Sequence, residues 1–214
     1  MTLLEPDVSL TDLGLAIECA GFATWLIHRG AGVNPFGRWF ILFFGATGIA
    51  AFLGAMSHGF VLDTESILSQ ILWFGIFAAI GMAALACWAI GSRLLFSESV
   101  ARRVLIAMLV VFVIYLIVFI QYGGSFFVVI VNYLPAAAFL LIALIIAYRA
   151  RRDAYLRTGI WGVSLTFVAA FVQQSGIAVH KVYFNHNALY HVIQAVALYL
   201  IFIAAKGISR QNAP

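Results

Sequence analysis

Seven times along this chain about 20 successive residues pass with almost no charge among them, and each such run is long enough to cross a bilayer as a helix. Hydrocarbon offers no water to backbone N–H and C=O groups, so only helices and closed barrels can span it. The runs are continuously apolar instead of alternating, which selects the helix. Spans are expected at about 10–28, 38–62, 68–92, 103–121, 125–148, 158–179 and 187–205. With 64% hydrophobic and 9% charged residues, a soluble domain is excluded. The links are short, and neither a repeat nor a low-complexity tract interrupts 1–214. The expectation is an all-α membrane protein, one seven-helix transmembrane domain.

Orientation follows from the basic residues, because short loops rich in Lys and Arg stay in the cytoplasm. Arg29, Arg38, Arg93, Arg102, Arg103, Arg149, Arg151, Arg152, Arg157, Lys206 and Arg210 flank the first, third and fifth loops and the tail, and only Lys181 falls in an alternate loop. The amino terminus is therefore expected outside and the carboxyl terminus in the cytoplasm, as for a bacterial inner-membrane protein. The net charge of +4 is then a topology signal, leaving no basic surface for nucleic acid. Glu5, Asp7 and Asp12, with no basic residue, precede or open the first run, so that span is expected to be kept and not cleaved as a signal. Cys19 and Cys87 stand in apolar runs without motif spacing and read as small core residues.

On that orientation, depth can be counted from the outer end of each span at about 1.5 Å per residue. His58 in span 2 and His191 in span 7 both lie roughly 6–8 Å in. Glu18, Asn132, Gln173, Gln174 and Gln194 lie roughly 9–14 Å below the same surface. Ionisable and amide side chains are costly in lipid, so they face the bundle interior or a wet cavity and pair with one another. One chamber open to the outside houses all seven; the alternative is a set of separate interhelical hydrogen bonds, worth about 0.6 kcal/mol each.

The stretch "FNHNALYHVIQ", residues 184–194, opens the last span with two histidines, two asparagines, a tyrosine and a glutamine. Four of five histidines, His58, His180, His186 and His191, belong to the outer side, and imidazole is a preferred zinc ligand. His186 and His191 are about 140° apart on a continuous helix, which is poor for sharing an ion. Asn185 or His186 stands where the helix begins, so a non-helical turn could let His186 swing over His191. Alternatively Asn187 and His191, four apart on one face, form the pair. For any single outer histidine, interfacial packing is the ordinary explanation.

Seven spans, an outside amino terminus, a histidine near the outer end of span 2 in "GAMSHGF" and a His-rich start to span 7 in "NHNALYH" resemble the ceramidase and adiponectin-receptor superfamily of membrane-embedded zinc hydrolases. The final span is also similar to that of a group of small bacterial seven-span proteins. The likeness spans most of the chain in topology and about two short motifs in sequence. It implies zinc held by one early His and an HxxxH pair on the last span, with a Ser and an Asp assisting. His58 matches the early ligand and His191 the last. Asn187 stands where the other last-span His belongs, so His186 substitutes for it. Gly54 stands at the serine, leaving Ser57 as the nearest hydroxyl, and Asp63 takes the acid's place on a different spacing. In ceramidases an acidic amino terminus and a first-span Glu also hold calcium, to which Glu5, Asp7, Asp12 and Glu18 correspond.

Zinc on three imidazoles brings bound water to a pKa of about 7 and stabilises an oxyanion. The resemblance thus implies hydrolysis of a lipid amide or ester, with a membrane lipid as substrate and Asp63, then Glu18, as the acid for the leaving group. The competing class is a non-catalytic seven-span protein, a small-ligand or metal-binding sensor or an accessory subunit, using the same chamber. A transporter would show midplane polar features and a repeat. A retinal pump would need a Lys inside the last span, and Lys206 lies at its cytoplasmic end.

Overall fold

The computed structural model describes residues 3–61, 65–121, 125–180 and 182–211. Seven α-helices follow one another: α1 (Pro6–His28), α2 (Pro35–Phe60), α3 (Ile67–Leu95), α4 (Glu98–Gln121), α5 (Phe126–Arg151), α6 (Ala154–Gln174) and α7 (His186–Gln211), with one 3-10 turn at Ala31–Val33. All seven are long and apolar enough to cross a membrane, as in a multi-pass integral membrane protein, and no strand occurs among the described residues.

Short polar residues set the starts. Pro6 and Pro35 open α1 and α2, where a missing N–H costs nothing. Asn34 Oδ1 accepts from the N–H of Phe36 at 2.7 Å and Gly37 at 3.2 Å, Ser66 caps α3 through the Ser69 N–H at 3.2 Å, and Asp153 caps α6 through the Tyr155 N–H at 2.6 Å. Arg152, with φ 53°, ends α5 and donates its N–H to the Tyr148 carbonyl at 2.7 Å.

Six helices close a ring in the order α1, α2, α3, α5, α6, α7, each packed on the next and α7 returning to α1, while α4 rides outside on α3. Accordingly 11% of the apolar window of α4 is buried, against 50% for α3 and α7. Aromatic stacking fills the ring: Phe22 lies on Phe202 with centroids 4.2 Å apart and Trp88 on Phe139 at 4.5 Å. Where helices press closest the residue is small, as along the Gly-rich stretch "GATGIAAFLGA" of α2. A Cβ on Gly48 of α2 would lie 3.0 Å from the Cys19 Cβ of α1. Cys19 and Cys87 are buried and unbridged, as expected of core residues.

Two boundaries differ from the sequence reading in ways that matter. α1 begins at Pro6, not at 10, so Asp7 sits on the helix and Asp12 more than a turn inside it. α6 stops at Gln174, not 179, where Gly176 at φ 66° turns the chain away.

Candidate functional site

The buried polar residues concentrate where the first turns of α1 and α7 meet the last turn of α2. On α1, Asp12 precedes Ala16, Cys19, Ala23 and Leu26 at alternating spacings of four and three, the buried stripe of that helix, so its carboxylate points inward. His191 occupies the facing position on α7. Both are enclosed, with 6% and 8% of their surface exposed.

Thr11 lies beside them. The Thr11 hydroxyl lies 2.7 Å from the Asp7 carbonyl and 3.0 Å from that of Val8, the back-bonding that helical threonines adopt, so its hydrogen is spent on the main chain. Its lone pair faces His191 Nδ1 at 3.0 Å, which places the ring hydrogen there. Nε2 lies 3.2 Å from Asp12 Oδ1. Thr11, His191 and Asp12 thus form a buried polar unit, the imidazole standing between a hydroxyl and a carboxyl.

A second, wetter pair stands beside it. His58 Nδ1 is 2.8 Å from Glu5 Oε2 with both side chains partly exposed, and the Glu5 N–H donates to the His58 carbonyl at 3.2 Å, tying the segment before α1 to the end of α2. An exposed pair of this kind is worth at most about 1 kcal/mol. The His58 and His191 imidazoles are near enough to act on one another electrostatically, as are Asp7 and His191. Asp7 Oδ2 also accepts the Asn185 N–H at 3.0 Å, fastening the approach to α7 onto α1.

Gly54, where the resemblance called for a serine, makes room for this arrangement, since a Cβ there would lie 2.8 Å from Asp12 Oδ2. Gly54→Ala is expected to push the carboxyl off His191 and lower stability by about 1–3 kcal/mol, read as a fall in the unfolding midpoint of the purified protein. An unchanged midpoint would mean that Asp12 moves freely and is not held.

Other expected residues fall differently. Asn185 caps α7 by accepting from the N–H of Asn187 at 2.9 Å and Ala188 at 3.1 Å, so His186 is the first helical residue and not part of a swinging turn. Held about 140° around the helix from His191, it does not join that ring. Asn187 instead accepts from Gln173 Nε2 at 3.1 Å, linking α6 to α7. His180 is exposed, and its Nδ1 accepts from the N–H of Val182 and Tyr183 at 3.2 and 3.1 Å, serving its own turn and no pocket. Gln174 is also exposed, because depth along a helix says nothing of the face. Gln194 is buried and donates to Thr166 Oγ1 at 3.4 Å. Asp63 lies outside the described residues.

Glu18 Oε2 on α1, Asn132 Nδ2 on α5 and Gln194 Oε1 on α7 are buried and have no hydrogen-bond partner among the described residues.

Among the described residues no group of three or more His, Cys, Asp or Glu is arranged to hold an ion, and both nitrogens of His191 have polar neighbours, Thr11 and Asp12. Glu5, Asp7 and Asp12 each lie against a different partner, His58, Asn185 and His191. Thr11 has no place in the sequence reading, and Asp12 enters it only beside the acidic residues that the resemblance links to calcium. The signal was present in the four-and-three spacing that puts Asp12 on the inward stripe of α1.

Residues 8–210 match the sequence model of a family described as of unknown function, DUF6962, and the chain belongs to that family. No curated protein and no solved structure matches it.

Proposed function

We propose, since membership of that family carries no activity with it, that this protein is a multi-pass protein of a bacterial inner membrane, amino terminus outside and carboxyl terminus in the cytoplasm, which binds a small polar ligand reached from its outer side. The orientation rests on the eleven Lys and Arg residues on one set of loops against Lys181 on the other. Binding rests on one observation: the three buried polar atoms of Glu18, Asn132 and Gln194, which have no partner among the described residues. Each such group costs about 1–3 kcal/mol when unmatched, so a molecule carrying both donors and acceptors is the fitting occupant. Glu18 lies six residues beyond Asp12 and Gln194 three beyond His191, about 9 and 4.5 Å further along their helices. The Thr11–His191–Asp12 unit then forms the rim and these amides and the Glu18 carboxyl the interior.

A second reading, the lipid amide or ester hydrolase with zinc on His58 and His191, is favoured by the electrostatic proximity of those two rings at one end of the bundle and by the ceramidase-like motifs. Mass spectrometry of small molecules released from the purified chain, together with its metal content, separates the two. Ligand binding predicts a polar molecule released from the wild type, lost from Asn132→Leu and Gln194→Leu, with no zinc. About one zinc per chain, lost in His58→Ala and His191→Ala and accompanied by fatty-acid release, establishes the second reading. A chain carrying neither contradicts both.

A further inference from the structure

At the opposite end of the bundle, the last turns of α1 and α7 and the Ala31–Val33 turn enclose a cavity of about 340 Å3. That size falls within the range of about 300–1,000 Å3 typical of small-ligand sites. Three cations converge on it around one indole: Arg29 Cζ is 5.3 Å, Lys206 Nζ 5.1 Å and Arg210 Cζ 6.0 Å from the Trp25 ring centroid. Among the described residues none of the three forms an ion pair with a carboxylate. Asn34 lines the same cavity, but its amide is committed to the Ser209 carbonyl at 2.8 Å and to capping α2.

The ordinary roles of these basic residues do not account for the gathering. Loop retention in the cytoplasm needs the charges only on that side of the membrane and is indifferent to where they point. The carboxyl ends of α1 and α7 supply about half a negative charge each against three cations. Contact with the indole face is an attraction of each cation singly and does nothing about their mutual repulsion. An anion in the cavity does. Two guanidinium forks beside an ammonium are a donor set that phosphate oxygens take.

We propose that the cavity between the ends of α1 and α7 binds a phosphate ester, with Arg29, Lys206 and Arg210 matching its charge. The cavity lies at the end of two spans, where head groups of anionic phospholipids and phosphates in solution are both within reach, and basic pockets between spans on the cytoplasmic side recognise such head groups.

Calorimetric titration of the full-length protein in detergent tests this with three probes: dihexanoyl phosphatidylglycerol, its phosphatidylcholine counterpart and inorganic phosphate. Saturable binding of an anionic probe is expected, weakened about five-fold by Arg29→Gln or Arg210→Gln and about a hundredfold by both together with Lys206→Gln. Arg29 and Arg210 are exposed, so the single variants keep the test decisive if the triple variant folds poorly. Arg149→Gln with Arg151→Gln, charges outside the cavity, should leave binding unchanged. Preference for phosphatidylglycerol over both other probes assigns a lipid head group, whereas equal binding of inorganic phosphate assigns a soluble one; either upholds the phosphate site. No binding of either anionic probe, or binding that the Arg29 and Arg210 substitutions leave unaltered, overturns it.

Discussion

Asp12→Ala is expected to destabilise the bundle by about 3–5 kcal/mol, the cost of stripping one partner from a buried pair and leaving the other enclosed. His191 Nε2 would face the space of the missing carboxyl, while Nδ1 stayed on Thr11. Asp12→Asn should behave differently. With the ring hydrogen on Nδ1, the Nε2 lone pair can accept from an Asn amide of the same shape, so the loss is expected to stay near 1 kcal/mol, an ordinary neutral hydrogen bond. What Asn removes is the ionisable group. Denaturant unfolding in detergent separates the two: a large loss for Ala with a small one for Asn identifies the contact as a hydrogen bond that a neutral donor can supply. Equal large losses would mean that the negative charge itself is required.

Gly162→Val is expected to be as damaging, and for a reason that lies in the backbone. A Cβ on Gly162 of α6 would stand 2.9 Å from the Ala197 carbonyl oxygen, 2.9 Å from the Ile201 nitrogen and 2.8 Å from Ile201 Cγ1, all on α7. Side chains can turn aside, but two main-chain atoms of a packed helix cannot. Either α6 and α7 separate along their length or the chain fails to fold. Overpacking costs about 1–3 kcal/mol with side chains in the way, so a loss at or beyond the top of that range is expected. Gly45→Ala, on α2 with nothing within 4 Å of its added Cβ, is the control and should be neutral or slightly stabilising. The ratio of folded to aggregated protein after extraction, followed by thermal unfolding, reads both; a well-folded Gly162→Val protein would show that the two helices are not in backbone contact.

The number of helices was legible in the sequence because their lengths are set by the bilayer and their apolar runs are interrupted only by short loops. The residues that meet were less so. These helices are apolar nearly all round, and such a helix has no stripe from which its inward face can be read. Gln174 and Gln194 illustrate the consequence: each was placed by depth alone, yet Gln174 is exposed while Gln194 is buried on Thr166. Asp12 was obscured by its charge, which reads as a residue before the membrane until α1 is seen to start at Pro6. His186 was assigned freedom that the Asn185 cap removes, though the cap itself was anticipated. His58 and His191, matched in depth on two helices far apart in sequence, do come to one end of the bundle, because α1 bridges α2 and α7 and carries the residues that bond to His191.

Everything assigned to that end depends on Asp12 and His191 touching across the α1 and α7 junction. A double-mutant cycle with Asp12→Ala and His191→Ala, followed by denaturant unfolding, measures that contact directly. An interaction free energy of about 1–3 kcal/mol between the two sites is predicted. Strictly additive losses would contradict it.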